Sequence, residues 1–292
     1  MPSALSQPAG VALDQSGLWL LLPWEFSPTV LVTVALAATL YTVGLARAAP
    51  RVSCSRRIAF YLGLFLIYCA LQTSWDYYAS HMFFVHRLQH FVLHDLGPAL
   101  LAGSAPAAVL AMGLPEWLGK RAAQMKVHMR PAARVIFDPW TATALYIASL
   151  VIWIWPSVHF YVMLSNWLYK LMNWSVVLAD LPFWSLILDP RAYPLARVRG
   201  GYRLLMLFVV MLPMMLAGAI LGLSRHDLYP VYGICGRFAP ISPLTDQHLG
   251  GLIIWIPGSV LIAVAALVVL RRILRQEHAA QATRVPRAAY SE

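Results

Sequence analysis

Charge is what this sequence has least of. Asp, Glu, Lys and Arg make up 12% of its 292 residues, while 60% are hydrophobic; an ordinary soluble domain carries about 25% charged residues. So few charges cannot cover the surface of a soluble globule of this length. A cytosolic enzyme, a secreted disulfide scaffold and a disordered segment are therefore excluded, which leaves a polytopic membrane protein.

Cysteine is scarce as well. Cys54, Cys69 and Cys235 are scattered, with no Cys-x-x-Cys pair. Only Cys235 is expected on the outer side, so neither an intramolecular disulfide nor a thiol-relay copper chemistry is expected. Also missing are a phosphate-cradling glycine loop, a nucleophile elbow and a set of carboxylates placed for acid–base work, so the chain is not read as an enzyme. Residues 1–16 lack a basic stretch ahead of a short apolar core, and no signal peptide is expected.

What is present is a series of apolar runs. A membrane helix needs about 20 mostly apolar residues. Seven candidates lie at approximately 28–46, 58–75, 77–101, 140–155, 167–188, 202–223 and 249–270, predicting an all-α bundle of seven transmembrane helices in one domain. Trp19, Trp24, Trp75, Trp140, Trp153 and Trp155 fall near the ends of these runs, where interfacial aromatics anchor helices. The polar N-terminal stretch, the basic loop within 104–139 and a cytoplasmic tail from about 276 are expected to be mobile.

The net charge of +10 is a topology signal rather than a nucleic-acid footprint. No Lys or Arg precedes the first run. Arg47, Arg51, Arg56 and Arg57 follow it, and none lies in the turn at Asp76. Five occupy 104–139, none 156–166, four 191–203, two 225–237 and five the tail. This alternation places the N-terminus outside and the C-terminus in the cytoplasm. The remaining two, Arg87 and Lys170, lie inside runs.

The third run is the most polar. At about 100° per residue, His86, His90 and His94 share one face, and His86 and His90 at i and i+4 can converge on one metal ion. His81 points away from that arc and lies nearer the outer surface. Ionisable groups at membrane depth mark function by default. The alternative is a hydrogen-bonded network in which neutral imidazoles bond Asn173, Ser175 or backbone carbonyls. Arg87 and Asp95 are read as holding neighbouring groups. Met211, Met214 and Met215 are at i, i+3, i+4 spacing; thioethers suit Cu(I), but such a stripe is ordinarily packing. His159, His226 and His248 are placed on the outer side, as solvated loop histidines or an entry point for metal.

Four stretches resemble the CtaG-type cytochrome c oxidase assembly factors, seven-span proteins of the bacterial inner membrane. Trp24, Phe26 and Pro28 look like the family's opening W-x-F-x-P. His86, Gln89 and His90, with Pro98 beyond, resemble its central H-x-x-Q-H…P. Phe183-Trp184 followed by Leu188-Asp189-Pro190 is similar to the end of its fifth span. Pro243-Leu244, Asp246-Gln247, Leu249-Gly250-Gly251-Leu252, Trp255 and Pro257-Gly258 are close to P-L-x-D-Q-x-L-G-G-L-x-M-W-x-P-G.

The resemblance implies a copper-handling factor or chaperone for a haem–copper terminal oxidase, with the oxidase subunits and membrane lipid as partners and no turnover chemistry. It carries His86, Gln89, His90, Asp246, Gln247 and Trp255 over as motif positions, with His248 beside them. Asp246 is further expected to cap the start of its own helix, and Gly250-Gly251 to allow close helix approach. Arg87 and Phe91 stand where the family often has Met, and Asn173 where it often has His. His81, His94 and His248 are additional. A site of His86 and His90, with His94 as a third ligand and His81 nearer the opening, is nearly all imidazole. That suits Cu(II) or bis-histidine haem better than Cu(I). The alternatives are a haem-binding redox protein, disfavoured because residues 86 and 90 would approach the iron from one side, and a metal or proton transporter with the third-run histidines and Asp95 as relay. A scaffold that binds no metal is a further reading.

Overall fold

A computed structural model describes residues 25–48 and 52–284, the last five by backbone alone. Trp19, Trp24, the rest of the polar N-terminal stretch and the tail beyond 284 lie outside the described residues. Over the described residues the chain is all-helical in class, as expected. In order it forms α1 (Pro28–Arg47), α2 (Cys54–Gln72), α3 (Ser74–His81), α4 (Phe83–His90), a π-helical turn (Phe91–Leu96), α5 (Gly97–Gly103), α6 (Ala107–Gly113), α7 (Glu116–His128), α8 (Arg130–Ile136), α9 (Pro139–Ile154), α10 (Pro156–Met163), α11 (Asn166–Ile187), α12 (Gly200–Leu223), α13 (Val231–Cys235) and α14 (Pro243–Arg284).

Local chemistry sets many of the boundaries. Pro28 and Pro139 occupy first-turn positions, where the missing N–H would have no partner in any case. Asp138 Oδ2 accepts from the amides of Trp140 and Thr141, both at 3.1 Å, and so caps α9. Thr73 Oγ1 accepts from Trp75 N at 3.3 Å and opens α3. The 77–101 run does not form one rod. Met82 is extended (φ −139°, ψ 128°), which ends α3 and leaves α4 to begin again at Phe83.

Four helices, α1, α2, α12 and Pro243–Ala279 of α14, are long and apolar enough to cross a membrane alone. Two bent pairs bring the number to six: Phe83–Gly103 with α6, bent by 73°, and α8 with α9, bent by 64°. The expected count of seven includes α11, which has 22 residues but carries Lys170, Asn173 and Asp180 within its apolar sequence. The 104–139 loop is largely helical, and α14 runs on through the start of the expected tail.

Two close approaches organise the bundle. A Cβ on Gly251 would lie 2.5 Å from the Gly222 nitrogen and 2.9 Å from the Gly218 carbonyl oxygen, so α14 lies backbone to backbone on α12. Gly44 meets the Val109 backbone and Gly113 the Leu40 backbone, which seats α6 against α1 and accounts for the bend after Gly103. The largest buried cluster is built from Phe83, Tyr146, Phe183, Trp184, Met206, Val210 and Tyr232. All three cysteines are free.

Candidate functional site

The new start at Phe83 leaves amides with no helical partner. They are satisfied from far along the chain: Asp246 accepts from Phe83 N at 3.1 Å (Oδ2) and from Phe84 N at 2.9 Å (Oδ1). Arg237 Nε adds an ion pair to the same carboxylate at 3.3 Å. Asp246 therefore caps α4 and not α14, the helix that contains it; the start of α14 is capped by Ser242 Oγ, which accepts from Thr245 N at 3.1 Å. The other motif residues hold the same end of the bundle. Gln247 accepts from Leu228 N at 2.7 Å and donates to His226 O at 3.2 Å, and His248 Nε2 donates to Ser224 O at 2.8 Å. Trp255 packs across Gly218, and Gly250 makes room for the Phe83 ring.

Downstream of that cap, α4 presents His86 and His90 as stacked rings 4.5 Å apart at 24°. Both are buried. Both ring nitrogens of His86 and Nε2 of His90 lack hydrogen-bond partners among the described residues. His159 from α10 stands edge-on to His86 at 4.9 Å. It is fully buried and is not a solvated loop residue. Its Nδ1 lies 3.1 Å from the Trp153 carbonyl, which can only accept, so Nδ1 carries the proton and Nε2 accepts from Tyr232 OH at 2.9 Å. His159 is thus committed to its neighbours through both nitrogens, whereas His90 reaches one side chain, Asn173, and keeps Nε2 open.

His94 does not join the pair. The chain from 91 to 96 is π-helical, and this wider turn breaks the 100° register on which a shared face depends. His94 Nδ1 lies 2.7 Å from Asp180 Oδ2, and its Nε2 is 3.2 Å from Ser149 Oγ. Ser149 also donates to Asp180 at 3.1 Å. Asp95 accepts from Tyr146 OH, and Trp184 Nε1 donates to the His94 carbonyl at 3.2 Å. These groups form a second buried polar cluster in which both nitrogens of His94 are engaged. His81 also stays apart, its Nδ1 donating to Tyr77 O at 2.7 Å within α3.

Gln89 points away from the histidines into a third network. Its Nε2 donates to Ala70 O at 2.6 Å and to Asp76 Oδ1 at 2.7 Å, and Tyr169 OH donates to Asp76 Oδ1 at 2.9 Å. Asp76 lies between apolar stretches, and burial pushes its carboxyl up to about 6 despite these two donors.

Arg87 is buried between the first two clusters. Its Nε and Nη2 lack partners among the described residues, and its guanidinium lies 5.1 Å from the Phe83 ring centre. A cavity of about 30 Å³ adjoins it, lined by His90, His94, Asp95, Tyr146, Ser149 and Met214, with room for water. Met214 is therefore core packing that also walls this cavity. Asn173, beside His90, lines another cavity of about 50 Å³ together with Glu25, Asp76, Tyr169 and Lys170.

The unpartnered imidazole nitrogens fit a metal ion chemically; the unpaired guanidinium of Arg87 beside them opposes added positive charge. Among the described residues no group of three or more His, Cys, Asp or Glu forms a metal-holding set. Among the described His, Cys, Asp and Glu side chains, the donors at this site are thus the His86–His90 pair, and an ion held by these two alone would keep open positions.

Sequence reasoning passed over Asp180, Tyr146, Ser149, Tyr169 and Tyr232. Asp180 could have been found by the rule that singled out the histidines, since it is a carboxylate within an apolar run. The tyrosines and serine carry no such signal.

No curated protein and no solved structure matches the chain significantly. The family model for the cytochrome c oxidase caa3 assembly factor matches residues 39–276, a stretch containing the His86–His90 pair, the α11 polar residues and the Asp246–Trp255 motif. The chain belongs to the cytochrome c oxidase caa3 assembly factor family.

Proposed function

We propose that this chain serves oxidase assembly by handling copper, taking the ion as cargo on His86 and His90 and passing it toward the copper centre of a haem–copper oxidase. The observation that supports this most is the pair of buried, stacked imidazoles in which both nitrogens of His86 and Nε2 of His90 lack hydrogen-bond partners among the described residues. An unpaired polar group in a buried site is costly, and a bound ion would satisfy it. A two-donor site also suits transfer: structural metal sites are closed by four ligands, whereas open positions admit an incoming one. Copper is favoured over haem by size, since the cavity beside His90 is about 30 Å³, far below the roughly 300–1,000 Å³ of small-molecule and cofactor sites.

In this reading the protein lies in the bacterial inner membrane and contacts oxidase subunits without catalysing a reaction. α11 is the seventh span. Its polar residues Asn173 and Asp180 are buried in the bundle rather than turned to lipid, which accounts for its low hydropathy. Arg56, Arg191, Arg203 and Arg272 gather at one end, as an N-out, C-in orientation requires.

The test is oxidase activity in cells lacking the native gene and complemented with wild type or His86→Ala/His90→Ala at matched membrane levels. The variant is expected to lose oxidase activity at limiting copper and regain it when copper is added. Full activity at limiting copper would overturn the copper role and leave a scaffold.

A further inference from the structure

We propose that the cleft between α2, α5, α11 and α14 holds an acyl chain of an anionic phospholipid whose headgroup is taken by Arg56 and Arg272. The cleft has a volume of about 290 Å³, and its walls are apolar apart from Ser55 and the two arginines. It runs along α14 from Arg272 to Leu261. At 1.5 Å per residue that is about 16 Å, against roughly 15 Å for the hydrocarbon of one leaflet. A helix of a partner protein, about 10 Å across with its side chains, is too wide for a slot of this volume.

Charge at the mouth selects the headgroup. Arg272 Nη1 donates to the carbonyls of Leu188 at 2.9 Å and Asp189 at 3.1 Å, so its charge is held but not neutralised. Arg203 is bound in the same way by the carbonyls of Val198, Ile187 and Asp189. The local carboxylate, Asp189, is taken by Arg191 at 2.7 Å. Burial pushes the Asp189 carboxyl up, but the Arg191 hydrogen bonds outweigh this and hold it below the usual range. Arg56 and Arg203 stand close enough to repel Arg272, and Arg56 has no carboxylate partner among the described residues. A phosphodiester attached to a hydrocarbon chain satisfies the cations and fills the slot together. Free phosphate leaves the slot empty, and a zwitterionic lipid brings another cation to the mouth.

The test is native mass spectrometry of the full chain in mild detergent with equimolar phosphatidylglycerol and phosphatidylcholine. Wild type is expected to retain phosphatidylglycerol about fivefold better, and Arg56→Gln to bring the two lipids near equality. Arg56 is the residue to change because Arg272 also holds the end of α11. Gly103→Leu provides a second variant: a Cβ there meets Leu188 Cδ1 at an ordinary 3.6 Å, and the larger side chain enters the cleft with both arginines intact. It is expected to lower retention of both lipids. Equal retention of the two lipids by wild type would overturn the proposal. So would an unchanged preference in Arg56→Gln or unchanged retention in Gly103→Leu.

Discussion

Asp246 caps the helix that begins at Phe83, 163 residues earlier in the chain. The family motif at the start of α14 is therefore a device for seating α4, and the register of His86 and His90 depends on it. A helix cap contributes about 0.5–2 kcal/mol, and a buried carboxylate that also pairs with Arg237 belongs at the upper end. Asp246→Ala is expected to lower stability by about 2 kcal/mol and Asp246→Asn by less, because the amide still accepts. Thermal unfolding in detergent measures both, and equal losses would show that the cap contributes little.

The His94–Asp180 contact is buried on both sides. Removing one partner strands the other, and such losses run to about 3–5 kcal/mol. Asp180→Ala is expected to fall in that range, while His94→Ala/Asp180→Ala together should lose less than the sum of the singles. A double-mutant cycle in unfolding free energy reads this coupling directly; additive losses would mean that the two side chains do not interact.

Gly251 and Gly201 make opposite predictions from one structure. A Cβ on Gly251 enters the α12 backbone, so Gly251→Val is expected to destabilise by about 1–3 kcal/mol through overpacking. Nothing lies within 4 Å of a Cβ on Gly201, and Gly201→Ala is expected to be neutral or stabilising by up to about 1 kcal/mol. Melting temperatures of the two variants suffice, and similar values for both would refute the close packing.

Asp76 gives a pH dependence with a definite sign. Its folded pKa of about 6 lies above the ordinary carboxyl value, so the folded state binds more protons across the interval between the two. The contribution of this group to stability is full below about pH 4 and falls as pH rises to about 6. Asp76→Asn is expected to remove that fall. Unfolding midpoints at pH 4.5 and 7 should differ more in wild type than in the variant; identical differences would mean that Asp76 does not titrate in this window.

Much of the site was legible because charge inside an apolar run is a strong signal. The all-helical class, the pairing of His86 with His90 and the small-residue contact of Gly251 all follow from spacing and composition. Three features do not. The extended Met82 and the π turn at 91–96 are stabilised by distant partners, and the π turn decides that His94 leaves the face it was expected to share with His86 and His90. His159 lies in a short segment read as a turn between spans, so its polarity suggested solvent; its burial depends on Tyr232, far along the chain. The Asp246 cap was read at the helix containing it, since local capping is the ordinary case and the real acceptor geometry is tertiary.

The most direct measurement is copper binding to detergent-purified chain, wild type beside His86→Ala/His90→Ala, by elemental analysis with a visible spectrum. The expected result is about one copper per chain without a Soret band, lost in the variant while its helical content is unchanged. Metal-free wild type, or equal copper in both proteins, would contradict the assignment of the pair as the site.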